Sequence, residues 1–280
     1  MKRTAHTLIE VLCVIAVLGI LLGLASVWIH GVRERASQLT CEVHLRDLAL
    51  AVHAHHAAKG TMPPYASGRP RELFGGWYMH LLPYVGRENL YEVLVANQVT
   101  VSPGGIYIAH NGTSIPEVKN ATFPELVCPT DPSRHGTGGD DKTNYLANWY
   151  ALSDGIRGTY RRAQRFSSLS NGMANTVLFA EAYSTCDALP RLALYSSHYH
   201  NFGITQEGLP SDDPWYAPKE YIMFQMKPAK CDRWRTQTAH DVMHVALADG
   251  TVRAVAPSIS PLTWKHVVKA RLGTPPDSDW

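Results

Sequence analysis

The chain has 280 residues, is 45% hydrophobic, and sets 26 Lys and Arg against 24 Asp and Glu, which fits one ordinary domain plus an appendage, or two small domains, and excludes disorder as its main state. A formal net charge of +2 without a clustered basic face is too little for sequence-independent phosphate binding, so nucleic acid is not an expected partner. With Gly 21 and Pro 18, no low-complexity tract and no repeat of about 20 to 50 residues, solenoids and collagen-like rods also drop out.

Lys2 and Arg3 precede VLCVIAVLGILLGLASVWI, Val11 to Ile29, a run without a charge. As a helix it reaches roughly 28 Å, enough to cross a bilayer. A cleaved secretory signal is the competing reading, since Gly23-Leu24-Ala25 supplies small residues. Two features oppose removal. Glu10 stands at the mouth of the apolar run, where a charge is costly unless paired. Helical character also continues beyond the run, up to Gly60 and Pro63-Pro64. Cys41, Leu45, Leu48, Val52 and His55, spaced four, three, four and three, form one apolar stripe. The expectation is one helix of about fifty residues that first anchors and then packs. Gly19 and Gly23, four apart, would let neighbouring anchors approach closely.

After Gly60 the text changes to short apolar segments split by Gly, Pro and Asn, an α+β texture. Trp77 to Tyr84 and Glu88 to Tyr91 read as two short helices around a proline break. Val127 to Pro132 reads as a strand end turning at Pro129. Thr176 to Glu181 and Val245 to Val255 read as strands, the latter a hairpin turning at Asp249-Gly250. Pro261 to Leu272 reads as a closing helix.

Ala5-His6-Thr7-Leu8-Ile9-Glu10 resembles the cleavage and methylation motif of type IV prepilins and type II secretion pseudopilins. That family usually has Gly before the cut and an aromatic after it, where this chain has Ala5 and His6. The resemblance implies cleavage after Ala5 by a prepilin peptidase and methylation of the new amino terminus. It implies that Glu10 pairs with the amino terminus of a neighbouring subunit. It also places the N-terminus in the cytoplasm and the head in the periplasm. Charge alone cannot decide orientation, since Lys2 and Arg3 face Arg33 and Arg35.

Further blocks resemble a large bacterial family of prepilin-type proteins whose outer domain is of unknown function. They are Cys41 to His56, Met62-Pro63-Pro64, His80 to Tyr84, Cys128 to Asp131, Thr143-Asn144-Tyr145, Ser170 to Thr176 and Ala248 to Arg253, in that order. The family's His-x-Gly-Gly stretch stands here as His240-Asp241-Val242-Met243. Pro124-Glu125-Leu126 matches nothing, and neither does Ser196 to Pro228, which reads as an insertion and a partner face.

The expected architecture is α+β: a leader at 1–5, a pilin-like helix at 6–59 with its span at about 8–29, and a mainly antiparallel β-sheet head with short helices at 60–280. The expected function is a membrane-anchored pseudopilin-like structural subunit, not an enzyme, contacting lipid and other pilin-like subunits. The rival is a monomeric anchored module binding polysaccharide or peptide through aromatic stretches near Trp77 and Trp215.

No metal or other cofactor is expected. His240 and His244 would share a metal on a helix, but a strand would set them about 13 Å apart. His53, His55 and His56 read as a polar face near the C-terminal end of the long helix. His198 and His200 lack a third ligand. Asp131, Asp140 and Asp141 sit in turns, and some pseudopilins bind calcium, but no loop here has the regular Asp/Asn alternation of a calcium site. Gly-x-Ser-x-Gly and phosphate-cradling loops are absent from the sequence. Cys13 lies in the apolar run. The other four cysteines permit two disulfides in three connectivities, of which Cys41–Cys128 with Cys186–Cys231 is taken here, against buried free thiols.

Overall fold

The computed structural model describes residues 8–67, 75–97, 100–102, 106–108, 115–134, 142–153, 163–186, 189–194, 222–232 and 235–280. A single helix, α1 (Leu8–Lys59), runs for 52 residues, about 78 Å at the ordinary rise. It ends at Gly60, whose φ of 74° is the left-handed conformation that stops a helix.

The two halves of α1 live in different surroundings. Leu8, Ile9, Ile20, Leu22 and Leu24 in the projecting half are 65–81% exposed. Among the described residues, no helix is long and apolar enough to cross a membrane. The side chains of residues 25–27 and 30 lie outside the description. In the second half the predicted stripe is buried throughout: Cys41, Leu45, Leu48, Val52 and His55 are each at most 6% exposed.

What the stripe packs against is a four-stranded antiparallel sheet in plain sequence order, β1 (Tyr145–Ala147), β2 (Val177–Glu181), β3 (Met243–Leu247) and β4 (Val252–Val255). Val245 stands opposite Ala180 on one side and Arg253 on the other, and a bulge follows at Ala246/Leu247. Alternation along β3 divides the core into two layers. Ala246 and Ala248 join the layer under α1, with Leu45, Leu48, Val52, Trp77 and Phe179. Met243, Val245 and Leu247 point the other way, onto Trp264, Val267 and Val268.

Those last three belong to the closing helix, numbered α4 here (Pro261–Val268). Its start carries the expected signals, with Pro261 in the first turn and the Ser260 hydroxyl accepting from the Thr263 N–H at 3.1 Å. It stops short of Leu272: Ala270 takes a left-handed φ of 55°, and the Asn171 side-chain oxygen accepts from the N–H groups of Leu272 and Gly273 beyond it.

Two helices come from the segment 77–96, α2 (Trp77–Leu81) and α3 (Glu88–Ala96), with a 3-10 turn at Leu82–Tyr84 between them. The hairpin turns where expected, Gly250 taking φ 89° while Asp249 accepts from the Thr251 N–H and hydroxyl. The expected strand ending at Val127 is corrected. Pro124–Leu126 is a 3-10 turn, the Val127 N–H bonds back to Pro124 O, and the Cys128 N–H donates to the Asn144 side chain at 2.9 Å. Most of the unmatched insertion, 196–221 with His198, His200 and Trp215, lies outside the described residues. Its end, Met223–Phe224, pairs in parallel with Gln237–Thr238.

Candidate functional site

Buried polar residues explain most of the sequence blocks that suggested a site. Asp131, 3% exposed, accepts from the Ser133 N–H and hydroxyl on Oδ1, and from Asn144, the Ser184 N–H and the Ser184 hydroxyl on Oδ2. Its oxygens serve protein donors. Asp140 and Asp141 lie outside the described residues. Asn148 caps a helical turn through its oxygen, and its amide bonds Val177 O and Val268 O, joining β2 to α4. Asn144, Asn148 and Asn171 are therefore clamps between elements.

The histidines of α1 also hold the fold. His53 meets Ala248 O at 2.9 Å in the hairpin and stacks on Phe166. His55 meets Thr61 O at 2.9 Å and packs edge-on to Tyr84. His55 is 6% exposed, which corrects the expected polar face, since α1 turns that side inward. Trp77, offered as a ligand platform, is 2% exposed against Tyr78 and Phe179 and belongs to the core.

Of the predicted disulfides, Cys186–Cys231 is formed, with Cα atoms 5.8 Å apart. The second is corrected. Cys41 and Cys128 are free thiols whose sulfurs lie 2.9 Å apart, beyond the roughly 2.05 Å of a bond. The sequence pair is brought together, but a third residue shares its pocket. His240 Nε2 is 3.5 Å from Cys41 Sγ and 3.4 Å from Cys128 Sγ. Thr130 Oγ1 lies 3.4 Å from the Cys128 sulfur and 3.3 Å from the same ring nitrogen.

Each member comes from a different place: Cys41 from α1, Cys128 from the turn after residue 126, His240 from the bend just before β3. His240 Nδ1 lies 2.6 Å from Glu34 Oε1 on α1. A carboxylate can only accept, so Nδ1 carries the proton of that bond. Cys41, Cys128 and His240 are 0%, 6% and 1% exposed. Glu181, at the end of β2 and 3% exposed, completes the surroundings. Its Oε2 accepts from the His244 N–H at 3.1 Å. Its Oε1 has no hydrogen-bond partner and sits 3.6 Å from His244 Nδ1 and 4.0 Å from His240 Nε2.

The hydrogen bond from Cys41 draws the Cys128 thiol down to about 5 and pushes Cys41 up. Burial opposes a charge on His240, but the bonds to Cys128 and Glu34 outweigh it and raise the imidazole to about 9. These shifts favour a thiolate at Cys128 and a protonated ring at His240.

Sequence reasoning singled out each of these cysteines and His240, but never as one group. His240 and His244 are also closer than expected, with ring centroids 6.1 Å apart, because residues 239–242 bend instead of extending. Ala5 and His6 lie outside the described residues. Glu10, Gly19 and Gly23 lie on the exposed half of α1, and a Cβ added at either glycine meets nothing within 4 Å.

A single long N-terminal helix, half projecting and half laid on an antiparallel sheet, together with a prokaryotic N-terminal methylation motif over residues 1–26, defines a pilin-like protein of the prepilin type. The chain belongs to the family described as protein of unknown function (DUF1559), which it matches over residues 31–262. No curated protein and no solved structure is matched by the chain.

Proposed function

We propose that this protein is a pseudopilin-like structural subunit of a type II secretion or type IV pilus-like assembly, anchored in the inner membrane by residues at about 8–29. A prepilin peptidase removes residues 1–5 at the cytoplasmic face and methylates His6. The head, residues 60–280, then lies in the periplasm and displays a surface instead of catalysing a reaction. Neighbouring subunits and lipid cover the projecting half of α1.

The observation that carries this reading is the split character of α1. Its first half presents large apolar side chains all round, as a segment does that other helices or lipid must cover. The open space at Gly19 and Gly23 supports close helix packing there. Glu10, in the first turn, supplies the negative partner for a neighbour's amino terminus.

The test is intact mass and N-terminal sequencing of protein recovered from membranes of cells containing a prepilin peptidase, followed by crosslinking. A chain beginning at methylated His6 is expected, and Glu10→Ala should lose crosslinked oligomers while the head stays folded. An unprocessed chain, or a Glu10→Ala variant that crosslinks as the parent does, would defeat the proposal.

A further inference from the structure

We propose that Cys41, Cys128 and His240 bind one zinc ion, with the Glu181 carboxylate as fourth ligand, so that a metal fastens the pilin helix to the head. The three ligand atoms all lie within 4.8 Å of one another and all three residues are buried. Thiolate and imidazole donors in a closed, four-member set are the chemistry of structural zinc sites.

The distances fit. Zinc bonds of about 2.3 Å to sulfur and about 2.0 Å to nitrogen set tetrahedral edges of roughly 3.5 Å between sulfur and nitrogen. His240 Nε2 lies 3.5 and 3.4 Å from the two sulfurs. The sulfur pair, at 2.9 Å, opens by about 0.9 Å to span a tetrahedral edge. The pair is free in the structure, and a disulfide would require closing by a similar amount.

The surroundings decide. His240 Nδ1 is tied to Glu34, so the proton that a metal displaces is the one on Nε2, the ring nitrogen that faces both sulfurs. This carboxylate, imidazole and metal order is the usual way a metal-bound histidine is oriented. Gln38 in turn donates to Glu34 Oε1 at 3.3 Å and steadies it. Glu181 keeps a buried oxygen that no donor serves, 4.0 Å from Nε2. A disulfide would leave this oxygen without a hydrogen-bond donor, whereas a cation between it and the ring nitrogen bonds both. On binding, the Cys41 thiol and the His240 Nε2 each give a proton to solvent, and the two thiolates offset the charge of the ion.

The experiment uses the full chain in detergent with a Cys13→Ser change, purified without chelator and kept under mild reductant. Metal analysis should find one zinc per chain. Exchange with cobalt should give the thiolate-to-metal charge-transfer absorption of a tetrahedral site. Cys128→Ser and His240→Ala should abolish that band, and Glu34→Gln should weaken cobalt binding by about 10-fold to 100-fold. Because His240→Ala removes packing too, His240→Cys is the second variant, expected to keep cobalt and strengthen the thiolate band. Reduced protein that takes up neither zinc nor cobalt overturns the proposal. So does a non-reduced mass with Cys41 and Cys128 already paired in metal-free chains from the cell.

Discussion

Asp131 shows how a side chain that looks like a ligand becomes a strut. Five protein donors converge on its two oxygens, so Asp131→Asn removes the charge they share and sets an amide N–H₂ against them. A loss of about 3 kcal/mol is expected in chemical denaturation of the head. A change within experimental error would show that the network is dispensable. Histidines of the core give a second measurable consequence. Burial disfavours the charged ring, bringing His80 down to about 3 and lowering His55 and His44 as well. In the unfolded chain these rings titrate near 6.5, so below that pH the unfolded state binds more protons than the folded one. Their contribution is complete above about pH 6.5 and drains away as pH falls toward 3. The thermal midpoint should therefore drop between pH 7 and 4, and less steeply in His80→Phe. A midpoint that stays flat over this range would contradict the assignment.

Among the elements, α1 offers the sharpest comparison because its two faces differ within a few residues. Leu45 is fully buried against the sheet while Val43 is 53% exposed. Leu45→Ala should cost about 2–5 kcal/mol by leaving a cavity, and Val43→Ala should stay within about 0.5 kcal/mol. Equal effects would mean that the helix is not seated as described. This seating was readable in the sequence, since Cys41, Leu45, Leu48, Val52 and His55 keep helical spacing, and any such stripe must be covered. The hairpin at Asp249-Gly250 and the strand at Val177 to Glu181 were equally readable, for they obey local rules of turn chemistry and β-branching. The region around Val127 was not, because its backbone bonds to Asn144, sixteen positions away. Nor was the clustering of Cys41 with His240. These are separated by 199 positions and meet only once the sheet has assembled.

At the scale of the molecule, the head is a sandwich of α1, sheet and α4, into which one half of a much longer helix is built. Its polar clamps, Asn144, Asn148 and Asn171, tie strands, turns and the C-terminal helix together. Since α1 is uninterrupted from Leu8 to Lys59, it works as an indexed shaft. Each residue turns it by about 100° and advances it about 1.5 Å, so Glu10 points about 140° around the axis from Cys41. The bearing of the head around any filament is thus set by a residue count. One alanine inserted between Ala36 and Ser37 should swing the head by about 100° while leaving both of its ends chemically intact. Seven inserted residues should bring the bearing back to within about 20° and merely lift the head by about 10 Å. Surface crosslinks between neighbouring heads should vanish with the first insertion and return, displaced along the axis, with the second.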